Sequence, residues 1–113
     1  MEYPAGATFY VRLSLVMAKP GEEERVSQMM DGLLEFLETQ PGYVRGYKLI
    51  RTYPDPRTGR LTVWKSEQDA DHAAQTQHVL SVRSELMQLV EEDFHIERSY
   101  TAYDPQLAKT LTS

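Results

Sequence analysis

From Thr8 to Met17 the chain alternates. Phe9, Val11, Leu13, Leu15 and Met17 fall on one side, and Tyr10, Arg12, Ser14 and Val16 on the other. A period of two is that of a β-strand, here with one fully apolar face and one mixed face. Lys19-Pro20-Gly21 interrupts it, and Glu22-Glu23-Glu24 puts negative charge where a helix N-terminus favours it. Val26, Met29, Met30, Leu33, Leu34 and Leu37 then recur at helical spacing, which predicts an amphipathic helix from Gly21 to about Gln40. Gln40-Pro41-Gly42 stops it. Val44–Tyr53 reads as a second strand, Pro54-Asp55-Pro56-Arg57-Thr58-Gly59 as a turn, and Leu61–Lys65 as a third strand. The connection is short enough for an antiparallel hairpin. Ser66-Glu67-Gln68-Asp69 is a partial capping box, with Asp in place of the stronger Glu or Gln. A helix follows through Ala70, Ala73, Ala74, Val79, Val82, Leu86, Leu89 and Val90, with a potential interruption at Gln75-Thr76-Gln77. His95–Tyr103 alternates again, Asp104-Pro105 ends it, and residues 106–113 read as a polar tail.

Strand, helix, strand, strand, helix, strand is the order of two right-handed crossovers. Combined, they give an α+β ferredoxin-like fold: a four-stranded antiparallel sheet with two helices on one face. The expected domain spans residues 8–103, with 1–7 and 104–113 as terminal extensions. The sheet's second face is then bare, and a second copy of the chain is its natural cover. The fully apolar stripe of the first strand fits best as the core beneath the helices. On that reading Val11 and Leu13 line any pocket there, while Arg12 and several tyrosines build the homodimer, where arginine and aromatics are enriched.

At 113 residues the chain fits one domain, and 41% hydrophobic with 26% charged residues is a globular balance. A net charge of −5, with arginines scattered among acids, argues against a nucleic-acid partner, which requires a basic patch. The absence of cysteine excludes disulfides and thiolate chemistry. Neither a signal peptide nor an apolar run of the ~20 residues that span a bilayer is present, so the expectation is a cytoplasmic protein away from membranes.

Several stretches carry a family likeness: Lys19-Pro20-Gly21-Glu22-Glu23, Thr39-Gln40-Pro41-Gly42-Tyr43, Thr62-Val63-Trp64-Lys65-Ser66-Glu67 and Thr76-Gln77-His78. In this order they resemble the antibiotic-biosynthesis-monooxygenase (ABM) type of domain in the dimeric α+β barrel superfamily, over residues 8–103. The resemblance implies a homodimer with a pocket between sheet and helices in each subunit. Many members of the family bind small aromatic or quinol-like compounds, and some oxidise them with O₂ using no metal or flavin. A haem-degrading branch uses an Asn, a Trp and a His at positions that, aligned on Trp64, fall on Val11, Ala73 and Arg83. None of the three is present, which tells against haem.

His78 is the candidate for chemistry. In a continuous helix, residues 70, 74, 78, 82 and 86 share one face, and a neutral imidazole there could take a proton from a bound phenol. The alternative is a histidine that caps a helix or is satisfied in the core. Trp64 either packs in the core or, with Val11, Leu13, Met29, Met30, Leu33 and Val82, forms a substrate-binding wall. His72 lies in a polar run and is read as solvent-facing, and His95 as surface. His72 and His78 are six apart, the wrong spacing for two metal ligands on one helical face. No cofactor is expected. The two functional readings are a cofactor-independent monooxygenase of quinol or polyphenol-type aromatics and a non-catalytic ligand-binding or structural dimer.

Overall fold

In the computed structural model, which describes Tyr3 and residues 6–112, eight strands and α-helices follow one another. They are β1 (Thr8–Val16), α1 (Glu23–Leu37), β2 (Tyr43–Arg51), β3 (Arg57–Trp64), α2 (Glu67–Ala74), α3 (Gln77–Met87), β4 (Ile96–Tyr103) and α4 (Pro105–Thr112). The expected N-terminal lead-in falls largely outside the described residues. The four strands form one antiparallel sheet in the order β2-β3-β1-β4. This is the ferredoxin-like α+β arrangement.

Local chemistry accounts for the elements. Gly42 takes φ +83° after α1, and its carbonyl accepts from Lys65 N at 2.8 Å, which ties the α1–β2 turn to the end of β3. Val26, Met30, Leu33 and Leu37, spaced three and four apart, form the buried edge of α1. The Ser66 hydroxyl accepts from Asp69 N at 3.1 Å and starts α2. The second helical segment is broken: Thr76 takes an extended conformation, and its hydroxyl accepts from Val79 N at 3.4 Å to start α3 afresh.

β3 starts at Arg57, earlier than the turn composition predicts. Gly59 makes this possible. A Cβ there would stand 1.8 Å from the Ser14 carbonyl oxygen, so only glycine lets β3 pair closely with β1 at that point. The tail expected over 106–113 is instead helical through Thr112, capped by the Asp104 carboxylate, which accepts from Gln106 N and Leu107 N at 3.0 Å each.

The sheet's two faces lie the other way round from the sequence expectation. Tyr10, Trp64 and Val16 pack with Val26, Met30, Leu33 and Val79 in the helix-covered core. The Arg12 guanidinium pairs with Asp71 of α2, and Lys48 Nζ pairs with Asp31 of α1 at 2.9 Å. The mixed face of β1 therefore lies under the helices. Strand alternation turns Phe9, Val11, Leu13 and Leu15 to the bare face, where Val11 sits between Val63 and Tyr100, and Leu13 between Leu61 and Arg98. The expected placement is reversed. The helices bring alanines and ion-pairing acids to the middle of the sheet, and so need polar partners beneath them.

In the β2–β3 connection, Asp55 is held by Arg57, whose Nε lies 2.8 Å away, and by Arg51. Hydrogen bonds from Arg57, then Arg51, lower the Asp55 pKa from 3.8 to about 2. A depressed folded-state pKa stabilises fully above the unfolded value and is lost as pH falls through the folded one. Wild type is thus expected to melt above Asp55→Ala at neutral pH, with the gap closing between about pH 4 and about pH 2. Thermal melts followed by circular dichroism across that range test this, and a gap independent of pH would refute it.

Candidate functional site

A cavity of about 300 Å³ lies between the helix-covered face of the sheet and helices α2 and α3. Its size falls at the lower end of the range for small-molecule sites. The space exists because α2 presents Ala70 and Ala74 to the sheet, side chains too short to reach it. Leu37, Val79 and the indole of Trp64 supply the apolar wall. A second recess of about 390 Å³, near Met17, Pro20, Ile50 and Pro56, is more open, and its two arginines, Arg51 and Arg57, are already engaged by Asp55. The smaller cavity is the more enclosed and is the one into which polar side chains converge.

Trp64 is 2% exposed and held on two sides. Its Nε1 donates to Thr62 Oγ1 at 3.0 Å, and the Tyr43 ring meets it edge-on, centroids 5.6 Å apart at 87°. Residues two apart on a strand share a face, so Arg60, Thr62 and Trp64 form one row along β3. Arg12 and Ser14 of β1 lie directly across from Thr62 and Arg60. Glu97 and Ser99 of β4 continue the two rows.

The charges follow a pattern. The Arg12 guanidinium spans from β1 to Asp71 of α2 and donates to the Tyr10 hydroxyl at 3.4 Å. Burial alone lowers the Arg12 pKa, and the hydrogen bonds with Tyr10 and Asp71 more than offset it, leaving it raised. On the other side Arg83 Nη2 of α3 lies 3.6 Å from Glu97 Oε1 of β4. His95 Nε2 is 3.3 Å from the same oxygen, too poorly aligned for a hydrogen bond. Between these pairs stands Arg60. Its one hydrogen-bond contact among the described residues is Nη1 to Met30 Sδ at 3.9 Å. Burial lowers its pKa to about 10, Glu97 raising it and Arg83 and Arg12 lowering it further, so it stays protonated at neutral pH.

Of the residues expected from sequence, Trp64 lines the cavity. Leu13 touches it, but alternation between Arg12 and Ser14 leaves only its main chain to do so. Val11 is on the bare face. Met30 and Leu33 are fully buried in the core, and Met29 and Val82 pack against that core; none of these four reaches the cavity. His78 does not reach it either. Its exposed ring stacks on Phe36 of α1, centroids 4.0 Å apart at 14°. The Thr76 cap resets the helical phase, so Val79 takes the inward position that a continuous helix would have given His78. His72 is exposed as expected, whereas His95 is largely shielded, its side chain 20% exposed.

Sequence reasoning passed over Arg60, Arg12 and Arg83 as site residues. The signal for Arg60 was its place two and four residues before Thr62 and Trp64 on one strand. Arg83 carried none that a single sequence could reveal.

No protein-family model matches the sequence, and no curated protein matches it significantly. Solved structures do match. SnoaB of Streptomyces nogalater, a cofactor-independent oxygenase, superimposes with a TM-score of 0.63 at 23% identity, covering 86% of this chain and 93% of that one. A Nitrosomonas europaea protein provisionally assigned as an antibiotic biosynthesis monooxygenase gives 0.73 at 19% identity, over 92% and 96% of the two chains. Protein SO0527 of Shewanella oneidensis gives 0.76 at 14%, over 89% and 97%. The chain has the ABM-type fold. Among the described residues no helix is long and apolar enough to cross a membrane.

Thr62 is 2% exposed and is the acceptor for the indole N–H. Thr62→Val keeps the shape and removes the acceptor, and is expected to cost about 1–3 kcal/mol, the usual penalty for stranding a buried donor. Urea denaturation measures the loss. A change below about 0.3 kcal/mol would mean the indole finds another acceptor.

Proposed function

We propose that the chain is an ABM-like cytoplasmic homodimer whose cavity holds a small aromatic compound and oxidises it, as a quinol or polyphenol, with O₂ and no cofactor. The observation that carries this reading is the cavity itself, lined by an indole and aliphatic side chains together with an unpaired guanidinium. SnoaB, of similar fold, is a cofactor-independent oxygenase. Residues 8–103 are the functional unit on this reading, with short extensions at either end.

The chemistry requires the substrate as its anion, the form that passes an electron to O₂. A phenol resembles tyrosine, with a pKa near 10. A positive charge within about 4–6 Å lowers such a value by about 1–3 units. Arg60, with Arg12 and Arg83 behind it, supplies that charge at the cavity wall, and water can then take the proton. For an anthrone-type CH₂ group the balance is CH₂ + O₂ → C=O + H₂O, with all four electrons coming from the substrate. His78, outside the cavity, has no part in this step.

A second reading has its own support: Asp71 and Glu97, the carboxylates at the cavity, are both committed to ion pairs, and His78 lies outside. The site would then bind its ligand without turning it over. O₂ uptake by chelator-treated protein with a panel of quinols and anthrones separates the two. Turnover is expected, falling at least tenfold in Arg60→Met and staying within twofold of wild type in His78→Ala. Uptake no faster than the uncatalysed rate would favour the binding reading.

The homodimer rests on the bare sheet face. Val11, Leu13, Leu15, Leu49, Leu61 and Val63 share it, and beside them Tyr47 and Tyr100 are 48% and 53% exposed. An apolar surface of this extent marks an interface. Sedimentation is expected at twice the 13.0 kDa chain mass, and Leu61→Arg is expected to yield monomers. A wild-type monomer at micromolar concentration would overturn the dimer.

A further inference from the structure

The cavity's charges do not balance. Three guanidinium groups, Arg12, Arg60 and Arg83, meet two carboxylates, Asp71 and Glu97. Arg98 also borders the space, but it pairs with Leu13 on the bare-face side of the sheet, and its guanidinium donates back to the Glu97 carbonyl at 2.8 Å. Lys48, next to Arg60 across β2 and β3, is bound by Asp31 at 2.9 Å and by the Ser27 hydroxyl at 2.6 Å. Each acid at the cavity is already engaged, Asp71 by Arg12 and Glu97 by Arg83. One positive charge is left over, and it belongs to Arg60.

A guanidinium drawn away from water is costly unless a partner offsets the lost hydration. Among the described residues no carboxylate lies within ion-pair distance of Arg60. The missing partner is therefore sought in what enters the cavity. A single positive charge is neutralised by a monoanion, whereas a phosphate monoester carries close to two negative charges. A carboxylate also matches the planar fork of a guanidinium, accepting two parallel N–H bonds. Four residues along the same strand row from Arg60, Trp64, with Leu37 and Val79, gives the cavity an apolar wall that suits a flat body.

We propose that the cavity binds a small aromatic carboxylate, its carboxylate on the Arg60 guanidinium and its ring against Trp64. The inference rests on this cavity being the ligand site and not on any oxidation taking place there. Arg12 and Arg83 keep their own acids and enclose the anion at longer range. Specificity follows. A neutral analogue of the same shape leaves the charge of the partly buried Arg60 unanswered and binds more weakly.

Trp64 is the only tryptophan, so its emission reports directly on occupancy, and calorimetry supplies an independent affinity. The probes are 1-naphthoate, its neutral isostere 1-naphthamide, and inorganic phosphate. Wild type is expected to bind the naphthoate at least tenfold more tightly than the amide, and phosphate more weakly than the naphthoate. In Arg60→Gln the two naphthyl compounds are expected to bind within twofold of each other. Should that variant not fold, Arg60→Lys keeps the charge without the fork and is expected to cut the acid-to-amide ratio at least threefold.

Equal binding of acid and amide by wild type, binding of neither, or a ratio unchanged in the Arg60 variants would each overturn the proposal. Phosphate bound as tightly as the naphthoate would overturn the carboxylate assignment. O₂ uptake on neutral quinols is a separate readout. Uptake without acid binding leaves the oxygenase reading standing, and acid binding without uptake leaves the carboxylate site standing.

Discussion

The two-residue period of β1 divides its side chains between two very different surroundings, and most of the molecule follows from that division. Phe9, Val11, Leu13 and Leu15 go to the bare face, and Tyr10, Arg12, Ser14 and Val16 go beneath the helices. A slip of one residue would exchange the sets and put an unbroken aliphatic row under α2. The cavity would then close on apolar side chains, and Arg12 would face away from Asp71. The register is held by Gly59, which alone permits the close approach at Ser14, and by pairing of β1 with β3 over Tyr10–Val16 and with β4 over Thr8–Leu15.

With that register, the helix-covered side becomes an uneven core. At one end Val16, Val26, Met30 and Val90 pack together in the apolar core. Towards the middle, Ser14 and Thr62 are buried and three arginines converge. Two ion pairs link sheet to helix on opposite sides of the cavity, Arg12 to Asp71 and Arg83 to Glu97, and both are partly exposed. Pairs in that setting add little to stability. Their importance is geometric: they hold the helices at a fixed height over the sheet and occupy the acids that would otherwise neutralise Arg60. The cationic character of the site is therefore a result of which acids are already taken.

Trp64 joins the packed region to the open one. Its ring meets Tyr43 edge-on, its N–H is satisfied by Thr62, and the side chain borders the cavity. An indole satisfied in this way offers a ligand apolar contact and no hydrogen bond. Polar recognition falls to the other residues of its strand row. Arg60, Thr62 and Trp64 thus divide the work: one charge, one support, one wall.

Much of this could be read along the chain. The strand and helix periods, the Ser66 cap, the break near Thr76 and the βαββαβ order are local properties, set by residues two to four positions apart, and they predicted the ferredoxin-like sheet. The place of Trp64 at the end of β3 was visible for the same reason. What could not be read was orientation. A period-two pattern shows that a strand has two faces but not which one meets the helices, because that depends on side chains brought from elsewhere, such as Asp71, 59 residues from Arg12. His78 misled because a continuous helix carries phase through Gln75–Gln77, and Thr76 resets it. The lone charge of Arg60 is likewise no property of its neighbours in sequence. It arises only when folding assigns Asp71 and Glu97 to other arginines. The sequence determined the elements and their order through short-range periodicity and capping. Tertiary structure decided which face became the site and what charge it bears, because both depend on pairings between distant residues.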